Sequence, residues 1–146
     1  MYQRNIPKKT NKKLLLGLVL LAVAAAWLLT GKRDSIRWSV TDSALLLTYS
    51  EGGSITAPFS EIESVTLQPG WEAGTKISGA ETSVCRFGEW KNAALGTYRA
   101  ALYSRVEPCV VIELPGGTLV MNADSADATD EFYRAFTALV AEKQRT

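Results

Sequence analysis

The stretch CVVIELPGGTLVMN, residues 109–122, decides the fold class of this chain. Cys109 to Leu114 is an apolar run with one charge, Glu113, which is typical of a buried strand. Pro115-Gly116-Gly117 is a turn sequence, and Thr118 to Asn122 returns the chain as the second strand of a hairpin. The stretch therefore predicts a β domain whose last two strands form a hairpin.

The hydrophobic period changes directly after this hairpin. Asp127 is the expected N-cap of a helix, with Asp130 at the third helical position. From there to Lys143, apolar residues recur at the spacing of one helical face, and those expected to close one end of the sheet are Phe132, Phe136, Leu139 and Val140. The sequence predicts an amphipathic C-terminal helix over residues 127–143.

Upstream of the hairpin, alternating apolar and polar residues predict further strands. They are expected at Ile36–Val40, Leu45–Tyr49, Ser54–Phe59, Ile62–Leu67 and Tyr98–Val106. Residues 70–96 contain scattered glycines and are expected to be irregular, with one strand around Thr82–Phe87. About seven strands followed by one helix predict a bent antiparallel sheet or open barrel capped by that helix.

Residues 14–29, LLLGLVLLAVAAAWLL, carry no charge. With Thr30 and Gly31 a helix here would be about 27 Å long, close to the hydrocarbon thickness of about 30 Å. A transmembrane helix is therefore predicted over residues 14–31, running through Leu14, Leu21 and Leu29. Five basic residues precede it and two follow closely, which predicts a cytoplasmic tail at residues 1–13 and an extracytoplasmic domain at 34–146.

Two alternatives for this segment stay open. Ala22-Val23-Ala24 and Ala24-Ala25-Ala26 fit the small-x-small pattern of a signal-peptide cleavage site. The apolar run continues through Trp27, Leu28 and Leu29, beyond both sites, which favours an uncleaved anchor at the cell membrane. The second alternative, a buried helix of a soluble fold, lacks a polar face for water.

Charge is unevenly distributed along the chain. Residues 1–33 carry seven Lys and Arg and no acid, which suits anionic lipid headgroups. Residues 34–146 carry nine basic and 15 acidic residues, a net charge of −6. An acidic domain argues against a nucleic-acid partner, because phosphate binding needs a basic patch.

Several catalytic chemistries are excluded by composition. The chain has no His, which excludes Ser-His-Asp and Cys-His catalysis and His-ligated metals. The glycine pairs at 52–53 and 116–117 read as hairpin turns rather than phosphate loops. No catalytic, metal-binding or cofactor-binding residue is predicted. Cys85 and Cys109 are expected either as a disulfide between adjacent strands or as two buried free thiols.

One group of residues could line a recognition surface. It combines aromatic and basic side chains: Trp71, Arg86, Trp90, Lys91, Arg99 and Arg105. The simpler interpretation is that the tryptophans cover the sheet and the arginines lie on its wet face. Irregular segments carry function more often than framework does, so residues 70–96 are the expected place for a binding loop.

The chain resembles the bacterial pleckstrin-homology-like (PH-like) domains of small membrane proteins. The resemblance rests on Phe59 to Val65, on the spaced glycines, on the paired strands 110–113 and 118–122, and on the helix start at Asp127 to Phe132. It implies a PH-like fold over most of residues 35–143. Eukaryotic relatives bind phosphoinositides through basic residues between the first two strands; here Thr41-Asp42-Ser43 has none, so no phosphoinositide site is expected.

These observations favour a single-pass, membrane-anchored, non-catalytic domain that binds a protein or peptide, with an exposed sheet edge able to accept a partner strand. One alternative is an anchored or secreted hydrolase that uses two carboxylates in a cleft. Another is a lipid or small-ligand binding module, which needs an apolar cavity.

Overall fold

The structure is a computed structural model that describes residues 34–145. The predicted tail at 1–13 and the predicted transmembrane helix at 14–31, with Leu14, Leu21 and Leu29, lie outside the described residues and stay predictions. Within 34–145, no helix is both long enough and apolar enough to cross a membrane.

The described chain is mainly β with one C-terminal helix, as predicted. The helix α1 spans Ala126–Arg145, and a short 3-10 helix spans Phe59–Glu61. The strands are β1 (Ile36–Val40), β2 (Ala44–Tyr49), β3 (Ser54–Pro58), β4 (Ser64–Gln68), β5 (Thr75–Glu81), β6 (Cys85–Asn92), β7 (Gly96–Tyr103), β8 (Cys109–Leu114) and β9 (Gly117–Met121). These nine strands of residues 34–145 exceed the expected seven or so. One of the additional strands is β5, because the region expected to hold a single strand forms the long hairpin β5–β6.

The strands form two sheets. One is a three-stranded antiparallel sheet in the order β1-β2-β3, and the other has six strands in the order β4-β8-β9-β7-β6-β5. All pairs are antiparallel except β7 and β9, which run parallel. β8 does not pair with β7, because one strand position is left between them in the sheet. The tight hairpin after β8 then places β9 in that position, between β8 and β7. This geometry forces β9 parallel to β7, a departure from the expected antiparallel sheet.

The main core lies between the six-stranded sheet on one side and the three-stranded sheet with α1 on the other. The face of the six-stranded sheet that takes part in this core is called the inner face, and the opposite one the outer face. Side chains alternate between the two faces along each strand. On β8, Val110 and Ile112 belong to the main core, whereas Cys109 and Val111 belong to a second cluster on the outer face.

The predicted apolar face of α1 does enter the core. Phe132, Phe136 and Val140 are buried, and Leu139 is half-buried against them. The Phe132 ring meets the ring of Trp38 on β1 edge to face at 4.9 Å between centroids. Edge-to-face pairs of this kind add to the stabilisation from area burial alone.

The start of α1 differs from the predicted cap at Asp127. The helix begins at Ala126, and the Ser125 hydroxyl accepts a hydrogen bond from the Ala128 N–H at 3.0 Å. Ser125 is therefore the N-cap, and Asp127 lies in the first turn, where its charge complements the helix dipole. The two residues serve the same end of the helix by different means.

Asp34 ties the beginning of the described chain to both sheets. Its carboxylate accepts a hydrogen bond from the Tyr49 hydroxyl at 2.5 Å and another from the Thr82 hydroxyl. Its carbonyl accepts a hydrogen bond from the Cys85 thiol at 3.7 Å. Burial, with Asp34 adding to it, raises the pKa of Tyr49 and raises that of Cys85 to about 12.

The structure decides between the two expectations for the cysteines. Cys85 and Cys109 are both free and buried. They lie on β6 and β8, and two strands, β7 and β9, separate them in the sheet. With neighbouring strands about 4.8 Å apart, three strand spacings exceed the Cα separation of about 7 Å that a disulfide allows.

Candidate functional site

The six residues predicted for one recognition surface occupy different parts of the domain. The register of β6 with β7 places Arg86 and Trp90 on the outer face, and Trp71 packs against the same cluster. Lys91 and Arg99 alternate with them and point to the inner side. Arg105 is exposed in the loop after β7. The structure thus brings together Trp71, Arg86 and Trp90, and separates the other three from them.

A short segment crosses the outer face and closes over part of it. The Trp71 indole N–H donates a hydrogen bond to the Tyr98 hydroxyl at 3.2 Å, and that hydroxyl donates to the Ala73 carbonyl at 2.6 Å. The two rings also meet edge to face at 5.6 Å. Burial raises the pKa of Tyr98, so its phenol stays protonated and keeps both hydrogen bonds at neutral pH.

A cleft with a volume of about 390 Å³ lies beside this segment, and because a larger one opens on the inner side, it is called the smaller cleft. Its walls are the segment around Trp71 and the loop from Ser104 to Glu107, and its floor includes Leu102 and Cys109. Asn122 holds the loop in place, because its side-chain amide donates to the carbonyls of Tyr103 and Val106. The cleft is therefore shaped by hydrogen bonds rather than by loose surface residues.

Arg86 enters the smaller cleft from β6. Its guanidinium carbon lies 5.7 Å from the centroid of the Trp90 ring, within cation–π range. Its Nε lies 3.8 Å from a carboxylate oxygen of Glu81, which is an ion pair but too long for a hydrogen bond. Among residues 34–145, the buried atoms Nε of Arg86 and Oγ of Ser104 have no hydrogen-bond partner.

The larger cleft opens on the inner side, where the β2–β3 turn overhangs the six-stranded sheet. Its volume is about 720 Å³. Its apolar lining includes Ile55 and the stacked rings of Tyr49 and Phe87, 5.4 Å apart. Charged side chains line it too, namely Glu51, Glu89 and Arg99. Arg99, singled out from the sequence, thus belongs to this cleft.

Glycines shape the larger cleft to an unusual degree. Six of its lining residues are Gly52, Gly53, Gly79, Gly88, Gly116 and Gly117. Gly79 and Gly88 pair directly across β5 and β6, with φ of 106° and 125°. A Cβ on Gly79 would lie 2.1 Å from the Phe87 carbonyl oxygen, so the two backbones approach too closely for any side chain.

Edge strand β5 borders this cleft. Apart from half-buried Ala80, all its residues are exposed, and Ile77 is 50% exposed. The pairing of β5 with β6 is interrupted between Lys76 and Ser78. A bulge and a lysine are features by which natural edge strands discourage pairing with another chain. The edge beside Gly79 and Ala80 is therefore the part best able to receive a partner strand.

Both clefts are lined by ionisable side chains. Glu51 and Glu89 in the larger cleft are exposed carboxylates. Burial raises the pKa of Cys109 to about 12, so its thiol in the smaller cleft stays protonated and is a poor nucleophile. Among residues 34–145 no group of His, Cys, Asp and Glu could hold a metal ion.

Several residues of these sites carry a signal that sequence reasoning missed. Tyr98 and Ser104 lie six residues apart in the predicted strand 98–106, so alternation places both on the same face, which is the outer face in the structure. Arg86 and Trp90 lie an even number of residues apart in β6, so they share one face, whereas Lys91 directly follows Trp90 and points to the other face. The overhang of the β2–β3 turn, in contrast, depends on how the two sheets pack.

Comparison of the chain with protein-family models, with curated proteins and with solved structures found no significant match.

Proposed function

We propose that this chain is a single-pass, membrane-anchored, PH-like domain that binds a protein or peptide without catalysis. The observation that carries the proposal is the larger cleft. Its volume of about 720 Å³ falls in the range of ligand sites, about 300–1,000 Å³. Its lining combines apolar and aromatic side chains with a few charged ones, which is the composition of binding sites in general.

The charges indicate the chemistry of the partner. Glu51 and Glu89 outnumber Arg99 in the cleft, and residues 34–146 are acidic overall. A partner segment with a bulky apolar side chain for the Phe87 region and a basic side chain for the two glutamates is complementary to this site. An extended segment would also reach backbone groups of β5 beside Gly79, which adds main-chain hydrogen bonds.

Site-specific photo-crosslinking tests the cleft. A photoreactive residue in place of Thr97, which lines the cleft, is expected to capture a partner in membranes, whereas one at Thr66 on β4 is not. Both positions are exposed, so Thr66 is a matched control. Glu89→Lys is expected to remove the Thr97 adduct. Equal adducts from both positions, or an adduct insensitive to Glu89→Lys, would contradict a partner in the larger cleft.

Anchoring and orientation need a separate test. The apolar run Leu14–Leu29 and its basic flanks support the anchor, with the N-terminus in the cytoplasm. Cys85 and Cys109 are buried, so a membrane-impermeant maleimide is expected to leave the native chain unlabelled. Ser60→Cys adds one exposed thiol, and its labelling in intact cells is the expected result. Labelling that requires lysis would contradict an extracytoplasmic domain.

One specific observation favours a second function, a carboxylate-based hydrolase. Two carboxylates, those of Glu51 and Glu89, line the same cleft, and such pairs carry out acid–base hydrolysis in other proteins. The two functions differ in the fate of the captured partner. A hydrolase would return it cleaved from the native chain and intact from Glu51→Gln, whereas a binding domain would return it intact from both.

A further inference from the structure

The smaller cleft contains two buried polar atoms without a hydrogen-bond partner among residues 34–145: Nε of Arg86 and Oγ of Ser104. Buried polar groups are nearly always paired in folded proteins, and the penalty is largest for a charged group. Arg86 lies on the outer face of β6 opposite Leu102 of β7, Ser104 directly follows the end of β7, and both residues line the cleft. A single group bound in the cleft could therefore contact both side chains.

We propose that the smaller cleft binds a carboxylate group, held by Arg86 and Ser104. A guanidinium presents its Nε–H and one terminal N–H side by side, which matches the two oxygens of a carboxylate. The Ser104 hydroxyl can rotate and donate a further hydrogen bond. Leu102, Cys109 and the Trp71 ring provide apolar surface for the aliphatic stem that carries the carboxylate.

The charges around the cleft favour a carboxylate over a phosphate. Glu81 lies 3.8 Å from Arg86, and Glu107 lines the opposite wall. Both acids repel an anion, and the repulsion is about twice as large for the double charge of a phosphate as for the single charge of a carboxylate. The volume of about 390 Å³ suits a small acid or one acidic side chain rather than a longer segment.

This site lies on the face opposite the larger cleft, so it goes beyond the proposed function and can fail independently of it. A water molecule would also satisfy the two unpaired atoms, but water would not give saturable, carboxylate-specific binding. The experiment therefore has to measure specificity as well as affinity.

The test is a titration of the full chain in detergent micelles at constant ionic strength, followed by NMR of the Arg86 Nε–H and the Trp71 indole N–H. The probes are succinate, N-acetylglutamic acid α-amide and inorganic phosphate. Both carboxylates are expected to give saturable shifts. A preference for succinate would identify a free acid as the ligand, and a preference for the glutamate derivative an acidic side chain.

Variants distinguish the site from general electrostatics. Arg86→Gln is expected to weaken carboxylate binding about tenfold or more, and Ser104→Ala about fivefold. Arg105→Gln removes the same charge from the neighbouring exposed loop and is expected to change affinity less than about twofold. Ser104→Ala remains informative if Arg86→Gln does not fold, which thermal unfolding will show.

Four results would overturn the proposal. The first is no saturable shift with either carboxylate below about 10 mM. The second is tighter binding of phosphate than of the carboxylates. The third is equal loss of affinity in Arg105→Gln and Arg86→Gln, and the fourth is no loss of affinity in Ser104→Ala.

Discussion

Replacing Gly79 by alanine should be far more damaging than replacing Gly52, although the two glycines have nearly the same backbone conformation. Their φ angles are 106° and 111°, so a side chain is equally strained at both. A Cβ at position 79 would lie 2.1 Å from the Phe87 carbonyl oxygen and 2.8 Å from the Gly88 Cα. A Cβ at position 52 would have nothing within 4 Å. The difference between the variants therefore isolates the close approach of β5 and β6.

The expected magnitudes follow from this geometry. The unfavourable φ costs about 1–3 kcal/mol in each variant. At position 79 the strands must also move apart, which weakens two or three ladder hydrogen bonds around the Gly79–Gly88 pair at about 1 kcal/mol each. We expect a loss of about 1–3 kcal/mol for Gly52→Ala and about 3–6 kcal/mol for Gly79→Ala. The second loss is a large share of the roughly 5–15 kcal/mol by which a typical domain is stable.

Equilibrium unfolding in urea measures both losses. The full chain in mild detergent is followed by tryptophan fluorescence and circular dichroism, and the free energy of unfolding is extrapolated to zero urea. Coincident transitions by the two probes would justify a two-state treatment. Equal losses in Gly79→Ala and Gly52→Ala would refute the reasoning, because φ strain alone would then account for both.

Two further predictions concern buried groups. The Asn122 side chain makes three hydrogen bonds to the backbone of Tyr103 and Val106. Asn122→Ala should therefore lower the free energy of unfolding, measured in urea, by about 3–5 kcal/mol. A loss below about 1 kcal/mol would contradict the role of these bonds. Burial raises the pKa of the Cys85 and Cys109 thiols to about 12 in the folded chain, above the usual value of about 8.5. The unfolded chain therefore loses these protons first, so stability should be constant below about pH 8 and fall as pH rises from about 9 towards 12; unfolding midpoints that rise over this window would contradict the burial of the thiols.

Much of the fold follows from local pattern. β1 and β8 begin and end where alternation and the apolar run predicted, and the period of α1 identified its buried face. β5 escaped prediction because nearly all of it is exposed, so its residues have no reason to alternate. Of its partner β6, only the beginning was expected, within the strand predicted around Thr82–Phe87. Gly79 and Gly88, which mark its interior, read as loop residues in a sequence although they allow two strands to approach closely.

The clefts were harder to predict than the strands. The sequence identified Arg86 and Trp71 as candidates, and they do meet in the smaller cleft. It could not show that Ser104 lines the same cleft as Arg86, because the neighbour of β6 is set by the order of strands in the sheet. The larger cleft arises where one sheet overhangs another, and no property of a single strand encodes that arrangement. The PH-like assignment stays a prediction.

The bonds around Asp34 have a mechanical consequence. Tension applied to the backbone at this residue reaches the end of β2 through Tyr49, the β5–β6 turn through Thr82 and β6 through Cys85, all at once. Hydrogen bonds loaded in parallel share the force and must break together, whereas hydrogen bonds loaded in series break one after another. Asp34 is therefore a rigid attachment point, and a torque applied there would rotate both sheets as one body.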